Sequence, residues 1–148
     1  MLLDAISQVT GVPDTFPGYP VGIRATQLPD PGVESHFLKL FGQSDRVTAC
    51  ACERNGDVTL PQLLHLQNGS SVIEKIKSPE GRLSRLIKET TEDRALLDSL
   101  FLSTLGRRPR EAELKTVTRL LGDGSERAEV ARDLLWALLN SKEFVFNH

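Results

Sequence analysis

From Glu92 to the end of the chain, apolar residues recur at three- and four-residue spacing and are cut into blocks by glycine. This pattern constrains the fold more than any other feature of the sequence. Leu96, Leu97, Leu100, Phe101 and Leu105 form one stripe, closed by Gly106. Leu114, Val117, Leu120 and Leu121 form a second, with Pro109 expected at the first position of its helix and Glu111 and Glu113 near its positive end. Val130, Leu134, Leu135 and Leu138 form a third, widened by Trp136 or Leu139 and running to about Asn140. Thr90 or Thr91 is expected to cap the first of these helices, with Asp93 at capping-box spacing from Thr90. Ser125 is expected to cap the last, and Phe144, Val145 and Phe146 to tuck back as an apolar tail. Helices joined by such short connections pack antiparallel, so residues 91–148 read as a three-helix part.

The same reading extends upstream. Leu2, Leu3, Ile6 and Val9 lie at helical spacing before Gly11. Ser70 to Lys77 and Arg82 to Glu89 read as two short helices broken at Ser78-Pro79-Glu80-Gly81, with Val72, Ile73, Ile76, Leu83, Leu86 and Ile87 inward. The charges between them (Glu74, Lys75, Lys77, Arg82, Arg85 and Lys88) read as a solvated face. Val33, Phe37, Leu38 and Phe41 line a further helix before Gly42. Thr59 and Gln62 have capping-box spacing ahead of Leu60, Leu63, Leu64 and Leu66.

Residues 11–33 break this rule. They hold Pro13, Pro17, Pro20, Pro29 and Pro31, five of the eight prolines in the chain. Proline fixes φ and restricts the residue before it, so a continuous helix is excluded there. An extended strap, laid over the core or meant to touch another domain, is expected over 11–33, with Val21 to Thr26 as its one strand-like patch. The fold class is therefore all-α: an irregular bundle of about six to seven helices with a Pro/Gly-rich N-terminal strap, one domain over 1–148.

Composition narrows the function. The chain has 148 residues, 39% hydrophobic and 26% charged, with a net charge of −2. That balance is ordinary for a globular protein and disfavours nucleic acid as a partner. Arg107, Arg108 and Arg110 around Pro109 read as a solvated corner. No apolar run approaches the ~20 residues of a membrane span, so membrane insertion is not expected. No nucleophile elbow, Walker loop, dinucleotide fingerprint or H-E-x-x-H zinc motif is present, and no catalytic residue or cofactor is assigned.

The chemistry that remains lies between Asp45 and His65. Cys50 and Cys52 form C-x-C, for which three readings stand: buried thiols, a disulfide, or half a metal site completed by His65, His36, Asp57 or Glu53. A structural zinc site needs four closed ligands, and C-x-C supplies two. A bridge between residues two apart sits near the ~6.8 Å upper limit of Cα separation for a disulfide. Asp45-Arg46 and Glu53-Arg54 bracket the cysteines. Arg46, Glu53 and Arg54 either line a charged pocket for a carboxylate, phosphate or sulfate, or pair internally and tie a loop to the bundle.

Three separated stretches, RATQLPDPGVESHFLKLFG (24–42), DRVTACACER (45–54) and WALLNSKEF (136–144), resemble the planctomycete-type C-terminal domain of unknown function. That domain closes large multidomain proteins that often also carry a planctomycete-type cytochrome c domain. The resemblance implies a C-terminal fragment of a larger envelope or exported protein, linked to electron transfer or polymer breakdown. It also implies the upstream domains of the same protein as partners. This chain departs from the family pattern in its second cysteine, Cys52, and in Thr59-Leu60-Pro61-Gln62-Leu63-Leu64. It lacks the C-x-x-C-H needed to attach a haem. The resulting expectation is a non-catalytic helical interaction module. The alternative is a ligand-, metal- or redox-site domain centred on residues 45–65.

Overall fold

The computed structural model describes residues 2–28, 70–121 and 126–147. The fold is all-α, and no strand occurs among the described residues. Helix α1 spans Leu2–Thr10, a short 3-10 turn spans Ala25–Gln27, α2 spans Ser70–Lys77 and α3 spans Arg82–Glu89. Then follow α4 (Asp93–Leu105), α5 (Glu111–Leu121), α6 (Arg127–Leu139) and α7 (Lys142–Asn147).

Helix α6 is central among the described elements: it packs against α2, α3, α4, α5 and α7. Helix α1 lies against α2, α3 and the 3-10 turn. One apolar cluster joins Ile6 of α1, Val72 and Ile76 of α2, Leu83 of α3, Leu96, Leu100 and Phe101 of α4, Leu135 and Leu139 of α6 and Phe144 of α7. Each such side chain, fully buried, contributes about 1.5–3 kcal/mol, so this shared core is the main force holding the helices together.

Two glycines let the backbones close at the N-terminal end. Gly11 follows α1 with φ +69°, and a Cβ there would lie 3.2 Å from the Arg82 backbone nitrogen. A Cβ on Gly81 would sit 3.1 Å from the Ser78 carbonyl and 3.3 Å from that of Thr10. The carbonyl ends of α1 and α2 thus meet the N-terminus of α3 backbone to backbone, an arrangement that also opposes unlike ends of the helix dipoles.

Several expectations from sequence are corrected. Val21 to Thr26 is not strand-like: a turn covers residues 21–22, and Ala25–Gln27 winds into the 3-10 turn. Asp4 of α1 accepts a hydrogen bond from the Ala25 amide at 2.7 Å, and the Gln27 side chain accepts one from the Arg24 amide at 3.0 Å. These two acceptors satisfy the first amides of the turn and fix it against α1. Phe16 and Ala25 are buried, and Tyr19, Ile23 and Leu28 pack on the core. Residues 29–33 of the expected strap lie outside the described residues, as do the expected helices around Phe37 and Leu63.

Neither Thr90 nor Thr91 caps α4. Glu92 occupies the cap without a side-chain bond, and Asp93 pairs with Arg127. Helix α5 begins at Glu111, two residues after Pro109; its first turn is organised by Glu113, whose carboxylate accepts from the Arg110 amide at 2.7 Å. This is half of a capping box, made without Ser or Thr. Ser125 lies outside the described residues, and Glu126 holds the cap position of α6. The apolar tail is a helix: Ser141 starts α7 by accepting from the Phe144 amide at 3.2 Å. Phe144 and Val145 are buried, whereas Phe146 is exposed.

The inward faces also differ in detail. On α5 only Leu121 is fully buried; Leu114 and Val117 are half-buried and Leu120 is 56% exposed. On α6 the stripe is Ala131, Leu135, Leu138 and Leu139, so Leu139 widens it, while Val130 and Leu134 are half-buried and Trp136 is 37% exposed.

Candidate functional site

The residues singled out from sequence, Arg46, Cys50, Cys52, Glu53, Arg54 and His65, all fall within 29–69 and lie outside the described residues. Among the described residues no group of three or more His, Cys, Asp or Glu side chains could hold a metal ion. None of their helices is long and apolar enough to cross a membrane. What the structure does assemble is a set of three basic side chains, each clasped by partners distant in sequence.

The first centres on Lys75, assigned from sequence to a solvated face. Its side chain is only 10% exposed and pairs with Asp14 at 3.1 Å. The ammonium also donates to the Val12 carbonyl at 2.7 Å and to Ser7 Oγ at 3.0 Å, while Ser7 Oγ donates to Asp14 at 2.6 Å. A serine hydroxyl 3.0 Å from a lysine amine invites comparison with a Ser–Lys nucleophile pair. The bonding argues the other way. Lys75 has three acceptors for three N–H groups, and the Ser7 proton goes to Asp14, so the amine offers no lone pair to the hydroxyl. The group is a clasp between α1, the turn after it and α2.

The second centres on Arg107, assigned from sequence to a solvated corner. The guanidinium makes two paired contacts. With Glu143 of α7 it bonds through Nε at 2.7 Å and Nη2 at 2.9 Å. With Glu113 of α5 it bonds through Nη1 and Nη2, both at 2.9 Å. Nη1 also donates to the Arg108 carbonyl at 3.1 Å. All five N–H donors are therefore occupied, and the guanidinium lies over the Phe101 ring, 5.5 Å from its centre.

These contacts move the titrations apart. Hydrogen bonding from Arg107 holds the Glu113 carboxyl down at about 2, helped by the Arg110 amide and opposed by partial burial. The Glu143 carboxyl is lowered by the same guanidinium, and the Arg107 group is raised by bonding to Glu113 and then to Glu143. Arg110 acts on both carboxylates as well, and no Arg107 donor is left free for an incoming anion.

Arg127, at the start of α6, forms the third clasp. Nε donates to Asp93 at 2.8 Å, Nη2 to the Thr90 carbonyl at 2.8 Å and Nη1 to the Ile87 carbonyl at 3.3 Å. The side chain thus closes the C-terminal carbonyls of α3, a favourable place for a cation, and its charge is balanced by the first-turn acid of α4.

Among the described residues one buried side-chain polar atom lacks a partner: Asp4 Oδ2, whose sister oxygen holds the 3-10 turn. Sequence reasoning missed all three clasps. A partial signal existed at Arg107, which follows a helix-ending glycine and precedes a carboxylate, Glu113, placed to cap the next helix.

No curated protein and no solved structure matches this chain. Residues 23–121 match the PSD1 family, described as a protein of unknown function (DUF1553). The match takes in well over half of the sequence and two of the three motifs that carry the resemblance to a domain of unknown function, and the chain belongs to that family.

Proposed function

We propose that this chain is a non-catalytic helical interaction module, serving as an accessory part of a larger envelope or exported protein and docking onto that protein's upstream domains. One contrast carries the reading. Lys75, Arg107 and Arg127 spend their donors on carboxylates, a hydroxyl and backbone carbonyls within the fold, while Leu102, Leu120, Trp136 and Phe146, one from each of α4 to α7, remain substantially exposed. Single exposed apolar residues are ordinary; four large ones on four successive helices favour an interaction surface over a reactive centre. The parent's location and partners rest on the family resemblance.

The test is direct titration of the chain with the polypeptide encoded upstream of it, followed through the fluorescence of its one tryptophan, Trp136. Saturable binding is expected, weakened at least tenfold by Leu120→Asp or Phe146→Asp with helicity unchanged. Absence of binding with both proteins folded rejects the proposal, as does binding that both variants retain in full.

A further inference from the structure

The family match ends at Leu121, yet the structure does not. Helices α6 and α7 follow that boundary, and among the described elements α6 has the most neighbours: α2, α3, α4 and α5 all pack on it. Its Leu135 and Leu139, with Phe144 of α7, are as deeply buried as Leu96 and Leu100 of α4, and they belong to the same cluster. The polar contacts cross the boundary in both directions. Arg107, inside the matched segment, reaches out to Glu143, and Arg127, beyond it, reaches back to Asp93 and to the carbonyls of Ile87 and Thr90.

We infer that residues 126–147 are a constitutive layer of the folding unit to which the matched segment belongs, and not an appendage to it. Without that layer the inward faces of α2, α3 and α4 lose the helix that covers them, and Val72, Ile76, Leu83, Leu96 and Leu100 lose their shared core partners. An amphipathic helix keeps its form chiefly by burying its apolar face, and α2 and α3, at eight residues each, are too short to persist alone. The described helices of the matched segment therefore fold only together with the helices beyond it. Any partner-binding surface of the chain is then a property of α1 to α7 jointly.

Full-length protein tests this. Trp136 reports on α6 by fluorescence, and hydrogen exchange of peptides from α2 and α4 reports on the matched segment. In a urea series the two readouts are expected to give one coincident midpoint, and Leu135→Ala is expected to lower both midpoints by the same amount. Should Leu135→Ala abolish folding, loss of protection in α2 and α4 is the same result, and Leu139→Val measures the coincident shift in a folded variant. The inference is overturned if Trp136 responds at lower urea while α2 and α4 keep their protection, or if either variant moves the fluorescence midpoint alone.

Discussion

Lys75 and Arg107 do the same job in opposite surroundings. Each ties together elements far apart in sequence, Lys75 joining α2 to the chain after α1 and Arg107 joining the end of α4 to α5 and α7. The Lys75 side chain is 10% exposed and has one carboxylate, its remaining donors going to a hydroxyl and a carbonyl. The Arg107 side chain is 25% exposed and takes two carboxylates. A compact ammonium withdrawn from water needs its charge balanced once and its hydrogens all accepted. A planar guanidinium at the surface can accommodate a second carboxylate, because its five donors reach both and Arg110 and solvent balance the added charge. Burial, more than the number of ion pairs, decides which clasp matters for stability.

That contrast orders the expected effects. Lys75→Met leaves Asp14 and Ser7 without their cation and should cost about 3 kcal/mol, the low end for breaking a buried pair, read as the midpoint of urea unfolding. A loss under about 1 kcal/mol would place the Lys75 clasp in the same class as an exposed ion pair and erase the distinction. Next comes Gly81→Ala, which sets a methyl against the Thr10 and Ser78 carbonyls. Overpacking of this kind costs about 1–3 kcal/mol and should be relieved in no solvent condition, since nothing electrostatic is involved.

Arg107→Ala should cost about 1 kcal/mol, the upper range for an exposed ion pair, because the lost contacts are partly hydrated and the stacking on Phe101 goes with them. Acid should reproduce part of that loss in the wild type. Glu113 is held at about 2 against an ordinary 4.5, so its contribution is complete above pH 4.5 and disappears as pH falls towards 2. Urea midpoints of wild type and Glu113→Gln should therefore converge between pH 4.5 and 2, and parallel curves would show that Arg107 does not hold this carboxylate in solution. Smallest is salt: about 1 M NaCl should cost Arg107-dependent stability a few tenths of a kcal/mol and leave the Lys75 increment unchanged, since screening acts mainly on exposed charges.

Local pattern made the described helices legible. Leu2–Thr10, Ser70–Lys77, Arg82–Glu89 and Asp93–Leu105 lie where apolar spacing and glycine stops put them, because both signals act within one or two turns. What sequence could not show is competition from a distance. Asp93 had capping-box spacing from Thr90, but it pairs with Arg127, 34 positions away. Lys75 and Arg107 looked like members of solvated charge runs because their carboxylates, Asp14 and Glu143, become neighbours only in the folded chain. Val21 to Thr26 had a strand-like composition, yet Asp4 holds the Ala25 amide in a tight turn. Leu120 fitted its helical stripe, but α5 sits at the edge of the core and buries only its end. The cysteine-bearing stretch lies outside the described residues, so the candidate site legible in sequence and the clasps found in the structure do not overlap.

The meeting of α1 with α2 and α3 carries a consequence for the integrity of the chain. Gly11 lies against Arg82 and Gly81 against the Thr10 carbonyl, so the end of α1 and the start of α3 meet at one point, and Lys75 rivets α2 to the chain after α1. Were the covalent link between α1 and α2 cut, these contacts would hold the two pieces together. The two pieces would part on a denaturing gel yet co-elute in native chromatography.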